Sequence, residues 1–347
     1  MKYTDNRKRR HRHLTKLKRH KRVLIRFMRR ILILLCIVLF IICGYKFTNN
    51  KNKLIVLETE SYDTAYYQMD FFASDLCIVN QTENIKLADM SKLKAYGLFD
   101  INCASTFYAY KIFDKVYPAS TTKILTALVA LENADLSDSV IVSKNACSTS
   151  FAIDEQTCGI KEGDLLTLED LLYGLLLYSG NDTAVAIAEH VGGSVENFAE
   201  MMNLRAKELM ATHSNFVNPS GLYDDNHYTT AYDLYLIFNE CLKQEKFVNI
   251  IKADSYSTEI TNTFSNEVRT LKWEPTNFYA LGEAESPKHV TVIGGKTGTL
   301  LVAGNCLVLM SEDKTQNPYI SIVMGADTKE LLYQDMTSLL AEIPKNK

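Results

Sequence analysis

The polar, charge-rich start of the chain is interrupted by fifteen uncharged residues, Ile31 to Tyr45. Such a run is short for a membrane span, whose apolar core needs about 20 residues, but the flanking Arg29, Arg30 and Lys46 can snorkel to the interfaces and lengthen it. No Ala-x-Ala-like site follows it, so an uncleaved anchor is expected over 31–47. Beyond a spacer, 48–70, polar over Thr48–Lys53 and without clear periodicity after it, the period alternates between strand and helix. Leu76–Val79, Tyr96–Ile101, Phe107–Tyr110 and Val140–Val142 read as strands. A helix-length apolar run follows Pro118 and extends to Glu132, with the fixed φ of proline suiting the entrance. Thr167-x-x-Asp170 is a capping box opening the nearly all-apolar run Leu171–Leu177, hence a buried helix stopped at Gly180. Further helices are expected from Asp182 or Thr183 through His190, from Ser194 through Met210, from Thr230-x-x-Asp233 through Leu242, and over Lys329–Glu342. Between the last two, Val290–Ile293, Cys306–Ser311 and Tyr319–Met324 return to strand period, with Glu312–Pro318 as a hairpin turn. Strands, then many helices, then meandering strands predict an α/β chain of the α+β type, an antiparallel sheet flanked by a helical cluster, rather than alternating βαβ units.

Charge sharpens the division of the chain. Residues 1–30 carry 14 Lys and Arg against one Asp, a net of +13. The other 317 residues hold 24 of the 38 basic and 40 of the 41 acidic side chains, a net of −16. A polybasic arm abutting an apolar helix stays cytoplasmic by the positive-inside rule, so the rest is expected outside the cell, in a bacterial membrane protein of single-pass topology. The acidic bulk excludes binding of nucleic acid through a general basic face. The expected division is a 1–30 arm, a 31–47 anchor in the lipid bilayer, a 48–70 spacer and a 71–345 catalytic domain, large enough for one sizeable core. Cysteines show no Cys-x-x-Cys pair and histidines no metal spacing, so no metal and no cofactor is expected. For an exported domain, Cys147 and Cys158 are the best candidates for a disulfide.

Candidate chemistry starts at Ser120 and Lys123. At i and i+3 they share a face at the mouth of a helix, a hydroxyl beside an amine, the arrangement of a nucleophile and its base. Ser179-Gly180-Asn181 and Lys296-Thr297-Gly298 follow, each at the end of an element. Taken alone, Ser120-x-x-Lys123 reads as a capped helix start, Ser179-Gly180-Asn181 as an ordinary helix C-terminus and Lys296-Thr297-Gly298 as a β-turn. In this order the three form the signature shared by class A β-lactamases and penicillin-binding proteins.

The intervening chain narrows the resemblance. Pro118–Lys123, Leu171–Asp182, Phe216–Leu222 and His227–Leu234 resemble the low-molecular-weight penicillin-binding proteins, the serine D-alanyl-D-alanine carboxypeptidases of the S11 type, over about 75–342. The resemblance implies a β-lactamase/transpeptidase-like fold. It also implies trimming of peptidoglycan stem peptides ending in D-Ala-D-Ala through an acyl-enzyme on Ser120, and covalent inhibition by β-lactam antibiotics. Lys123 would be the base, Ser179 a proton relay and Asn181 a clamp on Lys123 and substrate. Lys296 and Thr297 would hold the terminal carboxylate, Gly298 would allow close approach, and the backbone N–H groups of Ser120 and Thr299 would form the oxyanion hole. Lowering the pKa of Lys123 is expected to need burial and the nearby charge of Lys296. Thr299 and Leu300 depart from the aromatic or His and Thr or Ser that many members carry after the third triplet. The β-rich C-terminal domain of many members is not expected after the last helix, and an N-terminal anchor is unusual among them. D,D-endopeptidase activity would use the same residues. A β-lactamase would need a Glu that His213–Leu222 lacks, and a β-lactam-binding receptor would acylate without releasing D-Ala.

Overall fold

The computed structural model describes residues 93–345, together with 76–79 and the single positions Met28 and Leu35. The chain divides into two units, 1–72 and 73–347. The basic arm, the 31–47 anchor and the 48–70 spacer fall in the first and lie outside the described residues, those two positions apart. Among the described residues, no helix is long and apolar enough to cross a membrane.

In chain order the second unit contains β1 (Ala95–Asp100), β2 (Ser105–Tyr110), α1 (Lys123–Asn133), β3 (Ser139–Ile141), β4 (Asp164–Thr167), α2 (Leu168–Tyr173) and α3 (Asn181–Gly192). Then come α4 (Val195–Glu208), α5 (Ala231–Cys241), α6 (Glu245–Ile251), β5 (Tyr256–Asn262), β6 (Val268–Trp273) and the single turn α7 (Phe278–Leu281). The chain closes with β7 (Val290–Leu300), β8 (Gly304–Asp313), β9 (Pro318–Ala326) and α8 (Lys329–Ala341). The main sheet has the order β2-β1-β9-β8-β7, every pair antiparallel. Its two faces follow the period of two along the central strands. Leu307 and Leu309 join Leu98, Val323 and the α8 residues Leu332, Met336 and Leu339 on one side. Cys306, Val308, Ile320 and Ile322 meet the helical cluster of α1, α3 and α5 on the other. A strand covered on both faces reads as a continuous apolar run, which Leu307-Val308-Leu309-Met310 does.

β3, β4, β5 and β6 form a second antiparallel sheet that the expectation of one sheet lacked. β6 is tied to β4 by an ion pair. Asp164 is fully buried, and Arg269 donates to it from Nη1 at 2.7 Å and also from Nη2, beside Asn262 Nδ2 at 3.0 Å. Burial pushes the Asp164 carboxyl up, but the guanidinium and the hydrogen bonds from Lys161 and Asn262 outweigh it and hold the pKa below the ordinary carboxylate value. Arg269→Leu would leave an uncompensated buried charge and is expected to cost about 3 kcal/mol at neutral pH. The depressed pKa contributes stability above the unfolded carboxylate range that is lost as pH falls through the folded value. Urea midpoints should therefore differ most between wild type and variant at pH 7 and converge on acidification. An equal gap at both pH values would refute the electrostatic cause.

Two local expectations need correction. The helix expected to run unbroken over Leu171–Leu177 changes to a π-helical turn at Gly174–Tyr178, and its left-handed stop is Ser179, φ 70°, not Gly180, φ −61°. The expected Cys147–Cys158 disulfide is absent, and all six described cysteines are free thiols. Each thiol has its own partner: Cys158 Sγ donates to Gly174 O at 3.3 Å, and Cys147 Sγ lies 3.1 Å from Thr149 Oγ1.

Candidate active site

Ser120 sits on a 3₁₀ turn, Ala119–Thr122, that runs directly into α1. The turn is strained at its start, because Ala119 holds φ 49°, a left-handed value that costs a residue with a Cβ about 1 kcal/mol. Its neighbours hold it there. Thr122 Oγ1 lies 2.8 Å from His227 Nε2, and His227 Nδ1 accepts from Val217 N–H at 3.1 Å. That acceptor fixes the tautomer, so Nε2 carries the hydrogen and donates to the Thr122 hydroxyl. Burial lowers the His227 pKa to about 4, leaving the ring neutral at pH 7. From the other side, Gly221 (φ 85°) packs so closely that a Cβ there would fall 1.8 Å from Ala119 O.

Lys123, the first residue of α1, is fully buried, and its Nζ has three neighbours: Ser120 Oγ at 3.0 Å, Asn181 Oδ1 at 2.7 Å and Ser220 O at 2.7 Å. Two of these are carbonyl oxygens that can only accept. A neutral amine has two N–H donors and one lone pair, so the donors go to Asn181 and Ser220 and the lone pair meets the Ser120 hydroxyl. Burial lowers the Lys123 pKa to about 7, while Cys158 and Asp182 nearby pull the other way. The expected help from Lys296 is therefore not what moves it. Repulsion between the two cations weighs on Lys296, which burial and then the charge of Lys123 hold well below the ordinary ammonium range.

Asn181 is the first residue of α3, and its N–H donates to Gln156 O at 2.8 Å. Ser179 precedes it in its left-handed cap, a conformation concentrated, like π turns, at functional sites. Lys296 Nζ donates to Ser179 Oγ and to Thr297 O, both at 2.8 Å. With its oxygen accepting from Lys296, Ser179 has its own O–H available to donate elsewhere.

Lys296 to Thr299 lie on β7, an edge strand of the main sheet and one that runs well past the expected Ile293. A Cβ on Gly298 would lie 3.0 Å from Pro118 O and 3.1 Å from Ser120 N, so this strand passes tightly against the nucleophile turn, and a side chain there would push that turn by a few tenths of an ångström. Ser120, Ser179, Thr297, Gly298 and Thr299 line one cleft of about 150 Å³. Lys123 and Lys296 lie buried behind it.

All eight expected residues thus meet around the Ser120 hydroxyl. Others were not read from the sequence. Ser220 contributes a backbone carbonyl, which no residue type betrays. Gln156, Thr276 and Lys329 reach the cleft from loops and from α8. Among the described residues, no group of His, Cys, Asp and Glu could hold a metal ion. The arrangement can take a proton from Ser120, stabilise charge beside its N–H and return a proton from the Ser179 side.

Residues 80–328 match the model of the Peptidase S11 family, D-alanyl-D-alanine carboxypeptidase. The chain is 31% identical over 255 residues to the D-alanyl-D-alanine carboxypeptidase DacF of Bacillus subtilis, covering 71% of this chain and 61% of that protein. It is 28% identical over 252 residues to a D-alanyl-D-alanine endopeptidase of Escherichia coli, covering 72% of this chain and 76% of that protein. The fold is similar to that of a Streptomyces DD-transpeptidase, with a TM-score of 0.67 at 25% identity over 75% of this chain and 98% of that one. It is also similar to penicillin binding protein 5 from Haemophilus influenzae, with a TM-score of 0.63 at 26% identity over 76% of this chain and 71% of that one. The chain spans about three-fifths of the length of the first curated relatives it matches. With more than two thirds of its length matched and the three triplets gathered at one hydroxyl, the chain belongs to the D-alanyl-D-alanine carboxypeptidase family, Peptidase S11.

Proposed function

We propose that this chain is a serine D-alanyl-D-alanine carboxypeptidase that removes the terminal D-Ala from peptidoglycan stem peptides and is acylated by β-lactams at the same hydroxyl. The observation that carries the reading is the bonding of Lys123, whose two acceptors and one hydroxyl neighbour suit a neutral amine beside a nucleophile. In the first step Lys123 takes the Ser120 proton as Oγ attacks the carbonyl of the penultimate D-Ala. The oxyanion is held by the backbone N–H groups of Ser120 and Thr299, each such donor contributing about 3 kcal/mol to the transition state. The C–N bond then breaks. The leaving amine takes the proton that Lys123 accepted from Ser120, which leaves Lys123 neutral and an ester on Ser120, while the Ser179 hydroxyl, held by Lys296 Nζ at 2.8 Å, has its own O–H to direct at the leaving group. Water attacks that ester, Lys123 again takes the proton, and Ser120 is restored. Asn181 holds Lys123 in place, and Gly298 lets the substrate lie against β7. Thr297 meets the terminal carboxylate, and Lys296 braces this end of the site from behind by donating to Ser179 Oγ and Thr297 O.

Two features favour slow turnover of β-lactams over a β-lactamase. No carboxylate lines the cleft among the described residues, and the group beside the Ser120 hydroxyl is the amine of Lys123, 3.0 Å away. For placement we propose a cytoplasmic 1–30 arm, a 31–47 bilayer anchor, a 48–70 spacer and an extracytoplasmic 71–345 domain, on the charge asymmetry and the apolar run.

The full chain, incubated with a stem pentapeptide, should release D-Ala, and Ser120→Ala should abolish both that release and labelling by fluorescent penicillin. Penicillin labelling of Ser120 without any release of D-Ala would overturn the hydrolytic reading in favour of a receptor.

A further inference from the structure

We propose that the end of the second unit remote from the cleft carries a docking site for the phosphate headgroups of anionic lipids, built on Lys288, Lys314 and Lys345. The inference goes beyond the hydrolytic reading and rests on the bilayer placement given above.

A cavity of about 440 Å³ lies among the loop before β7, the turn after β8 and the end of α8 at Ala341. Lys288, His289, Lys314 and Lys345 line it, and no Asp or Glu does. This gathering of cations runs against the composition, because the 317 residues after the basic arm carry a net charge of −16. All three lysines are exposed, and among the described residues none of them is in an ion pair. Their backbone supports are nonetheless fixed. His289 Nε2 donates to Ile343 O at 2.9 Å and so joins the loop to the chain after α8. Asp313 Oδ1 accepts from Thr315 N–H at 2.7 Å and from Asn317 N–H at 3.1 Å, which shapes the turn that presents Lys314. A lysine ammonium is a compact charge on a flexible stem and binds phosphate without needing a planar fork. The volume is in the range of small-ligand sites and leaves room for a glycerophosphate group.

Position separates this cavity from the chemistry and turns it toward the proposed anchor. Val290 and Thr299 stand at opposite ends of β7, about 30 Å apart at about 3.3 Å per residue. α8 spans the same gap, with Lys329 at the cleft and Ala341 at the cavity, so the cavity is no extension of the substrate site. The sheet register sets Val290 opposite Asp313, Ser311 opposite Tyr319, and Asp100 opposite both Tyr319 and Ser105. These residues therefore share one end of the sheet. Ser105 also bridges Ile78, in the segment that follows the proposed anchor and spacer. The chain thus joins the sheet at the end that carries the basic cavity, while the cleft lies at the other. The potential of an anionic leaflet decays within about 10 Å, so it acts on lysines at the near end and leaves the cleft untouched.

The test places the full chain in discs of phosphatidylcholine, with and without phosphatidylglycerol, and acetylates its lysines with an N-hydroxysuccinimide ester, read by peptide mass. Anionic discs should slow acetylation of Lys288 at least about five-fold relative to neutral discs. Lys272, 62% exposed on β6, should change by less than about two-fold. Lys314→Gln combined with Lys345→Gln should bring the Lys288 ratio close to one, with penicillin labelling of Ser120 at the wild-type rate. Salt at about 1 M, which shortens the screening length to about 3 Å, should do the same in wild type. Soluble glycerol phosphate should leave Lys288 unprotected in neutral discs. Equal acetylation of Lys288 in both discs, equal slowing of Lys272, or protection by glycerol phosphate as large as that by anionic discs would sink the proposal. If the full chain does not insert into discs, the anchor reading fails, and the same chain mixed with phosphatidylglycerol vesicles reads the cavity alone. Protection of Lys288 there supports the headgroup site, and its absence refutes it.

Discussion

Lys123→Met should acylate Ser120 at least about 1,000-fold more slowly than wild type and yet fold at least as well. General bases contribute about 10²- to 10⁴-fold, and here one residue serves both acylation and hydrolysis of the ester. The folding half of the expectation follows from burial. Lys123 is fully enclosed, and enclosure is what lowers its pKa to about 7. Methionine has nearly the same length, carries no charge to desolvate, and is a flexible filler of irregular space. It leaves Asn181 Oδ1 and Ser220 O each short of one donor, at about 1 kcal/mol apiece, against removal of an amine that burial disfavours. Lys123→Arg separates charge from basicity, since a guanidinium stays protonated and cannot accept the Ser120 proton. Both variants should be equally inactive. In wild type the neutral form is the active one, and its share grows as pH rises through about 7. The rate of penicillin labelling should therefore climb over pH 6–8 and then level, and the climb should vanish in Lys123→Met. Timed labelling with a fluorescent penicillin, read by gel and intact mass, measures all three. Labelling of Lys123→Met within ten-fold of wild type would show that another group activates Ser120.

What the sequence conveyed well were elements whose local chemistry is decisive. Thr167 and Asp170 form both halves of the expected capping box, with Asp170 N–H donating to Thr167 Oγ1 at 3.1 Å and Thr167 N–H to Asp170 Oδ2 at 2.8 Å. Thr230 likewise caps α5 by accepting from Asp233 N–H at 3.0 Å. The strands of the main sheet that are covered on both faces announced themselves by unbroken apolar runs. β5 and β6 did not, because Ser257, Glu259, Lys272 and their neighbours point to solvent and the strands are half polar. Within the site, the triplets were legible because side chains carry their roles. The carbonyl of Ser220 and the exposed Lys329 were not, since one is backbone and the other differs from any surface lysine only in what it stands beside. The conformation of Ser179 was also hidden. A left-handed helix stop is usually glycine, so Gly180 drew the assignment one residue too far.

Gly221→Ala is the substitution expected to damage fold and chemistry together. Gly221 holds φ 85°, where a Cβ costs about 1 kcal/mol in backbone strain alone. Far more comes from the wall it faces: the added carbon would lie 1.8 Å from Ala119 O and 2.4 Å from Ala119 C, both backbone atoms. Relief requires either the Ala119–Thr122 turn or the 218–222 loop to move by more than 1 Å. The first moves Ser120. The second moves Ser220 O, 2.7 Å from Lys123 Nζ, so neither escape spares the site. A displacement of 1 Å in reacting groups can cost about 100-fold, and acylation of any folded Gly221→Ala protein should fall by at least that much. Gly193→Ala provides the control. Gly193 is also left-handed, φ 74°, but a Cβ there meets nothing within 4 Å. It should lose about 1 kcal/mol of stability with penicillin labelling unchanged. Thermal melts and labelling rates on the two variants separate strain from collision. If Gly221→Ala melted and acylated like Gly193→Ala, the close seat of the 218–222 loop against the nucleophile turn would not exist in solution.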